Sequence, residues 1–536
     1  MALGAWCLGA GVFFRAQMTS GFDRMMGDRG DARLIVLLHE HWVNVLRGNE
    51  PWRDPGFFHP VTNLLGHSDT FLVNQVFYLP LRLVGLDPFL SFQLALVALS
   101  LVGYTAFYVV CRRHLGVPAW IAIPCALTFC FANNLFFKAN HPQVYNSYWL
   151  VVVLLLGLEA ARPGNRRHST AAAVAAGALF TLVLYSTFYT GWTAILVLLV
   201  VTVVSVVVGR GRFLRGAATQ VRSHGTELAA AAAGALVGAV PFALTYLPIL
   251  SAKGGRSYDE ALAYAPRLRE VVGVSSENYL WGSALERHAG IALDRIDNSE
   301  FALAPTPVLL AAVLGVAAYF VVFRRRGPGT RLTVVLATAT VVLLLLPVSY
   351  RGHSPWRAVW ILVPGAVGIR SIDRIQIVTG QMAALALAVG ATALWVACRQ
   401  ARQRRIVGAG LVLVLALVVF EQLNLAKTAF VDRSDEMARL DGVPAPPAAC
   451  RSFAIADSSP VERPSYEHQI DAMLIAATVH LPTVNGYSGQ PIDGWDLQEV
   501  REPGYAANVR AWAAANDLNG VCSYDEATTV WSTLVP

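Results

Sequence analysis

Trp192-Thr-Ala-Ile-Leu-Val-Leu-Leu-Val-Val-Thr-Val-Val-Ser-Val-Val-Val208 carries no charge, and Gly209-Arg-Gly-Arg212 follows it at once. A helix needs about 20 mostly apolar residues to cross roughly 30 Å of hydrocarbon, so this run reads as a membrane span closed by cations. The same pattern recurs along the chain. Nine further runs are clear: Phe89–Cys111, Val117–Phe137, Tyr145–Ala161, Thr170–Phe188, Leu228–Leu250, Pro307–Phe323, Leu332–Tyr350, Gln376–Ala397 and Ile406–Asn424. Ala2–Met18 is an eleventh, short and interrupted by Arg15. It lacks the basic flank and small-residue cleavage site of a signal peptide, and is read as a first span whose native start lies further upstream.

Composition agrees with this reading. Of 536 residues, 55% are hydrophobic and only 14% charged, against about 45–50% and 25% in a soluble domain. The length alone would suggest three or four soluble domains, but few compact cores could hide so much apolar surface. The net charge of +7 raises the question of nucleic acid; its distribution answers it. Seventeen arginines fall in five short linkers: Arg112 and Arg113; Arg162, Arg166 and Arg167; Arg210, Arg212, Arg215 and Arg222; Arg324, Arg325, Arg326 and Arg331; Arg399, Arg402, Arg404 and Arg405. If eleven spans alternate, all five linkers share one side, which the positive-inside rule makes cytoplasmic. The charge is a topology signal and calls for no nucleic-acid partner. Arg- and Ala-rich usage, with Lys138, Lys253 and Lys427 as the three lysines, suggests a GC-rich bacterial genome and hence a bacterial plasma (inner) membrane.

The sequence therefore predicts an all-α polytopic membrane protein with about eleven transmembrane helices over residues 1–424 and a small C-terminal extracytoplasmic α/β domain over 425–536. Thr70–Leu86 would break the alternation if it spanned; with Asn74, Gln75, Pro80 and Arg82 inside it, it reads as an interfacial helix. Three other extracytoplasmic stretches are long: 19–88, 251–306 and 351–375. In the tail, Val443–Pro447 reads as a linker, Ser452–Ala456 as a strand, and Tyr466–Val479 and Tyr505–Asn516 as helices. Cys450 and Cys522 both lie there, and on an oxidising face they could close a disulfide or stay as two thiols.

The scarce polar residues outside the linkers are the candidates for chemistry. The first outer loop opens Phe22-Asp-Arg-Met-Met-Gly-Asp-Arg-Gly-Asp-Ala-Arg33. A carboxylate at Asp28 or Asp31 can serve as a general base; equally, Asp31 can cap an amphipathic helix over Ala32–Leu46. The loop also holds His39, His41, His59, His67 and Asp69. His39-Glu-His41 lacks the i, i+4 spacing that puts two metal ligands on one helical face, so no protein metal site is assigned, and a divalent cation (Mg or Mn) held by carboxylates and substrate phosphate stays open. His141 and Tyr189 lie in short outer turns, where polar residues facing a cavity are functional candidates. Tyr350-Arg-Gly-His-Ser-Pro-Trp-Arg357 is followed by ten apolar residues, too few to span, and then by Gly368-Ile-Arg-Ser-Ile-Asp-Arg374. A re-entrant or interfacial hairpin here would deliver Arg370 and Arg374, four apart on one helical face, to bind phosphate or to anchor on headgroups. Arg351 and His353 at its start are further candidates.

Gly27-Asp28-Arg29-Gly30-Asp31, His59-Pro60-Val61-Thr62-Asn63-Leu64-Leu65, Arg370-Ser-Ile-Asp-Arg374 and Asn485-Gly-Tyr-Ser-Gly-Gln-Pro491 with Trp495 together resemble the GT-C superfamily of integral-membrane glycosyltransferases, in layout over nearly the whole chain. The resemblance implies transfer of a sugar from a polyprenyl-phosphate donor to a glycan, lipid or protein acceptor, with inversion and on the outer face. An acid of the first loop, Asp31 or Asp28, would then be the base, Arg370 and Arg374 would hold the donor phosphate, and Tyr487 and Trp495 could stack on an acceptor glycan. The adjacent acidic pair more familiar in that superfamily is replaced by acids three apart. A flippase for a lipid-linked glycan and a non-catalytic envelope-assembly protein remain the other readings.

Overall fold

The computed structural model describes residues 1–209, 212–282, 284, 304–325 and 327–536. Arg210 and Arg326 of the basic linkers, and most of 283–303 in the long outer stretch, lie outside the described residues.

The chain is a bundle of apolar helices capped at one end by loops and a small α/β unit. In order the main helices before the tail are α1 (Ala2–Phe13), α2 (Asp31–Arg47), α3 (Pro88–Val109), α4 (Ala119–Cys130), α5 (Tyr148–Ala160), α6 (Arg166–Ser186), α7 (Phe188–Gly209), α8 (Gly225–Lys253), α9 (Pro307–Val322), α10 (Pro328–Leu345), α11 (Ile375–Ala397) and α12 (Ala401–Phe420), and all but α2 belong to the bundle. Among the described residues, eight helical segments are long and apolar enough to cross a membrane, and three shorter ones, α1, α9 and most of α10, complete the eleven expected from the sequence. Apolar residues all round, with no stripe, are what a helix surrounded by lipid and other spans requires. α11 is enclosed by its neighbours, whereas α8 and α12 leave most of their surface to lipid.

Two features shape the bundle. First, α6 and α8 pack backbone to backbone. A Cβ at Gly234 would fall 2.1 Å from the Val174 carbonyl oxygen, and one at Gly238 would fall 2.4 Å from the Leu182 nitrogen. In lipid, where hydrophobicity drives no helix pairing, such small-residue contact is what holds helices together. Second, the end of α12 that leads into the tail carries a buried carboxylate, Glu421. It accepts from the backbone N–H groups of Val308 and Leu309, at 2.9 and 2.7 Å, and from Thr306 Oγ1 and Trp281 Nε1, at 2.5 and 3.0 Å. Glu421 thus satisfies the orphan donors that open α9.

α2 is not a span. Its amphipathic 17 residues end at Gly48 in a left-handed cap, and it lies between the bundle and the tail. Thr70–Leu86 forms a short 3-10 turn and a nine-residue helix, Gln75–Leu83, too short to cross, as the interfacial reading requires. The third expected span is interrupted: α4 ends at Cys130, and a separate turn of helix, Asn133–Phe137, follows.

The tail begins by pairing with the start of the chain. β1 (Arg24–Met26) runs antiparallel to β2 (Ala429–Asp432). Beyond α13 (Arg433–Asp441), β3 (Ser452–Ala456), α14 (Ser465–Val479), α15 (Tyr505–Ala515), β4 (Val521–Asp525) and β5 (Val530–Val535) build a three-stranded sheet in the order β3-β4-β5. β3 and β4 are parallel, β4 and β5 antiparallel. Cys450 and Cys522 form a disulfide, with Cα atoms 5.6 Å apart, that joins the start of β3 to β4. The tail docks on α2 through buried ion pairs. Arg33 is bonded to Asp471 of α14 and to Glu436 of α13, the latter at 3.1 Å.

Candidate active site

Gly27 has φ +114, and a Cβ there would overlap the Ala32 side chain. Only glycine turns the chain from β1 into α2 at this point. The turn places the two acids of the first loop in different roles. Asp28 faces back into the turn, where its Oδ1 accepts from the N–H groups of Gly30 (3.1 Å) and Ala32 (3.3 Å). Asp28, and not Asp31, therefore satisfies the first donors of α2. Burial and the neighbouring Asp31 charge raise its carboxyl to about 6, against the pull of those N–H groups.

Asp31 is released from capping and reaches across to the turn between α4 and α5. Its Oδ2 lies 2.6 Å from Nδ1 of His141 and accepts from Gln143 Nε2 at 2.8 Å. About a quarter of its side chain remains exposed. Burial pushes this carboxyl up, but the hydrogen bond and charge of His141, the Gln143 amide and the Arg374 guanidinium outweigh it and hold Asp31 well below the usual carboxylate range. Asp31 is thus an anion at any physiological pH.

Arg374 arrives from the segment that precedes α11. After the helix Trp356–Leu362, which buries Trp356 and exposes Ile361 and Leu362, the chain makes two 3-10 turns, Ala366–Gly368 and Ile372–Arg374, directly into α11. Tyr189, at the start of α7, fixes this segment: its hydroxyl accepts from the backbone N–H groups of Arg370 (2.6 Å) and Ser371 (3.3 Å). The Arg374 guanidinium stacks 5.5 Å from the centre of the Tyr189 ring, and Arg370 lies 5.1 Å from that of Tyr264. The buried Arg374 Nε–H, Ser371 Oγ and Gln143 Oε1 have no hydrogen-bond partner among the described residues. Buried polar atoms left in this state at one place ask for a ligand or water.

Asp69 completes the group, a residue to which the sequence alone assigns no role. Its Oδ1 accepts from the Phe188 N–H at 3.0 Å. Burial raises its carboxyl to about 6; the Phe188 N–H and Arg374 oppose that, and the Asp31 charge adds to it. Gln143 and Lys138, both in the turn that holds His141, likewise carry no local signal beyond their place. Lys138 is buried and its charge bears on His141. The only signal for these three was position in an outer turn, because their roles depend on partners distant in sequence.

The remaining candidates lie elsewhere. His59 ties the first loop to the tail through its backbone: its N–H donates to Thr483 O and its carbonyl accepts from Trp512 Nε1, both at 2.9 Å. Arg351 and His353 form an exposed turn. Trp495 packs edge-on against Phe58 and donates to Val484 O, so its ring is committed to holding its loop. Tyr487 lies beside Tyr466, with ring centres 6.1 Å apart, and the Tyr466 ring borders Gly30, next to Asp31.

For a divalent cation, Asp31, His141 and Asp69 do not bring three ligand atoms within one ion's reach. The one such grouping among the described residues is His468, Asp471 and Glu526 in the tail. Arg463 already lies on all three, as hydrogen-bond or ion-pair partner, so that grouping is neutralised by protein cations.

No family model matches the sequence, and neither does any curated protein. Solved structures do match in fold. The oligosaccharyltransferase of Archaeoglobus fulgidus, solved in complex with zinc and sulfate, superposes with a TM-score of 0.52 at 12% identity over 97% of this chain and 67% of its own. The same organism's AglB, in complex with an inhibitory peptide and a dolichol-phosphate, gives 0.48 at 11% identity over 97% and 69%. ArnT from Cupriavidus metallidurans, bound to undecaprenyl phosphate, gives 0.43 at 14% over 90% and 84%. At the level of fold, the first of these agrees with the GT-C resemblance carried by the motifs.

Proposed function

We propose that this chain is an inverting glycosyltransferase that moves a sugar from a polyprenyl-phosphate donor to a hydroxyl of a cell-envelope glycan, lipid or protein. The reaction would take place on the membrane face opposite the basic linkers, with the C-terminus on that same side. One observation carries the reading: at the outer ends of the spans, a carboxylate kept ionised by His141 adjoins an arginine whose buried Nε–H has no acceptor among the described residues. The shared fold with an oligosaccharyltransferase supports it.

The arrangement suits the chemistry. The acceptor oxygen attacks the anomeric carbon while the bond from that carbon to the phosphate oxygen breaks, and the bonding pair leaves with the phosphate. Arg374 and Arg370 meet the charge that develops there, and they cannot lose a proton in doing so. No acid is needed, because the polyprenyl phosphate released from the diester is already a competent leaving group. Asp31 accepts the hydrogen bond of the acceptor hydroxyl and takes its proton once the new bond to the anomeric carbon has made that hydroxyl strongly acidic, while His141 holds the carboxylate in place. No step is assigned to a metal. Tyr466 and Tyr487 offer aromatic faces beside the base on which an acceptor sugar can stack.

The test is turnover of a radiolabelled polyprenyl-phosphate sugar by the purified full-length protein, with membrane-envelope extract as acceptor. Release of polyprenyl phosphate together with labelled acceptor is expected. If the label stays on the lipid across the bacterial pentose and hexose donors, the transferase reading fails.

A further inference from the structure

At the opposite end of the bundle from Asp31, two basic linkers converge on one acid. Glu159, at the end of α5, is approached by Arg113 Nε at 3.2 Å, His114 Nε2 at 3.0 Å, Arg162 Nη1 at 3.8 Å and His168 Nε2 at 3.3 Å. Arg166 bridges to Thr226 Oγ1 at 3.0 Å and so brings the linker before α8 into the same face. Glu159 is nearly buried, whereas Arg113, Arg162 and His168 are each about half exposed. One carboxylate thus holds the cluster together, and the outer sides of its cations remain turned to solvent.

Those outer sides line a cavity. Arg113, Glu159, Arg162, Pro163, Asn165, His168 and Ser169 enclose about 260 Å³, open on one side. Asn165 caps α6 by accepting from the Arg167 and His168 N–H groups, and Ser169 Oγ donates to Arg162 O. The polar lining is therefore held in place by bonds other than those a ligand would use. Its depth is fixed by the fold, since these residues terminate α3 and α5 and begin α6, the level at which lipid phosphates lie. Leu154 on α5 and Val174 on α6 are each 40% exposed. They stand five and six residues into the membrane from Glu159 and His168, about 8–9 Å along a helix, where acyl chains would run.

We propose that this cavity is a binding site for the phosphate of an anionic membrane lipid in the leaflet on the side of the basic linkers. Arg113 and Arg162 take its oxygens as guanidinium-phosphate pairs, and the exposed apolar faces of α5 and α6 take its tails. A basic pocket between the ends of spans is suited to a headgroup, and the central acid does not oppose it because Glu159 is already saturated by its four partners. Free inorganic phosphate shares the charge and lacks the tails; the site is assigned to the lipid because the lining sits where the tails would be buried. This site is independent of the proposed transfer reaction and stands or falls without it.

The test is native mass spectrometry of the delipidated full-length protein after addition of phosphatidylglycerol or phosphatidylcholine. One retained phosphatidylglycerol and no comparable phosphatidylcholine are expected. Replacing both pocket arginines (Arg113→Gln with Arg162→Gln) should lower that occupancy by about tenfold. Removing two basic-linker charges elsewhere (Arg402→Gln with Arg405→Gln) should leave it unchanged. Asn165→Asp keeps the cap on α6 and places a carboxylate in the lining, so it should reproduce the loss even if the double arginine variant does not fold. Equal retention by wild type and Asn165→Asp, or equal loss in the Arg402/Arg405 variant, overturns the pocket. Displacement of the lipid by millimolar phosphate overturns its assignment to a lipid.

Discussion

Asp31 and His141 share a hydrogen bond of 2.6 Å across 110 residues of chain, and that bond separates the two acids of the first loop. Asp28 serves the backbone of its own turn, whereas Asp31 serves a partner on another element. An asparagine at 28 can still accept from Gly30 and Ala32, so Asp28→Asn should fold and retain activity within a few-fold. An asparagine at 31 cannot take a proton. Asp31→Asn should lower turnover of the lipid-linked sugar by about 10²–10⁴ at near-wild-type thermal stability. If the two variants fall equally, the division of roles is wrong.

The arginines before α11 are expected to differ as well. Arg374 stacks on Tyr189, influences both Asp31 and Asp69, and keeps a buried Nε–H without an acceptor among the described residues. Lysine would preserve the charge but lose the fork that grips two phosphate oxygens. Arg374→Lys should reduce kcat by about 10²–10³, with Arg370→Lys falling less. Tyr189→Phe removes the hydroxyl that holds the Arg370 and Ser371 backbone, and should lower kcat in the same direction while leaving the membrane spans folded. Full activity in Arg374→Lys would show that charge alone suffices.

How much of this was legible in the sequence depends on the range of the forces involved. The spans could be read because hydropathy and arginine placement act locally. The break after Cys130 could not, because it is stabilised from afar: the Asn133 Oδ1 accepts from Asn278 and Asn424, at 3.0 and 2.9 Å, and the Asn133 N–H donates to Gln422. The pairing of β1 with β2 spans some 400 residues, and no local pattern announces it. Asp31, His141, Arg374 and Tyr189 are legible one stretch at a time, as polar residues near the ends of spans. Their convergence, and the presence of Asp69 among them, required the fold. The sequence reading put the helix cap at Asp31, whereas the capping contacts fall to Asp28, because the turn at Gly27 aims that carboxylate back at the Gly30 and Ala32 N–H groups.

Asp69 provides a test by pH. Its carboxyl is raised to about 6 by burial, above its unfolded value near 3.9. Between these values the folded state holds the extra proton, so this group's contribution to stability rises as pH falls from 6 toward 4 and is unfavourable at neutrality. Asp69→Asn removes the ionised form. The variant should be more stable than wild type by on the order of 2–3 kcal/mol at about pH 7.5, with the difference falling to about half at about pH 5. Thermal melts of both proteins in detergent at the two pH values measure this, and a gap that widens on acidification contradicts it.

The tail holds the helix that carries Asp31. Arg33 is 1% exposed, two residues beyond Asp31, and its guanidinium is shared between Glu436 and Asp471. Asp471 also takes Arg439 at 3.1 Å and Arg463 at 2.8 Å. Removing one partner of a buried network leaves uncompensated charge, at a typical cost of about 3–5 kcal/mol. In Arg33→Met that loss should be felt where α2 meets the tail. Amide hydrogen exchange is expected to accelerate in the first turn of α2 and in α14, while α11 stays protected. Arg33→Lys keeps the charge but cannot span both carboxylates, so its exchange should be intermediate. Unchanged protection of the first turn in Arg33→Met would mean that the membrane bundle alone positions Asp31, and that the tail merely rests on it.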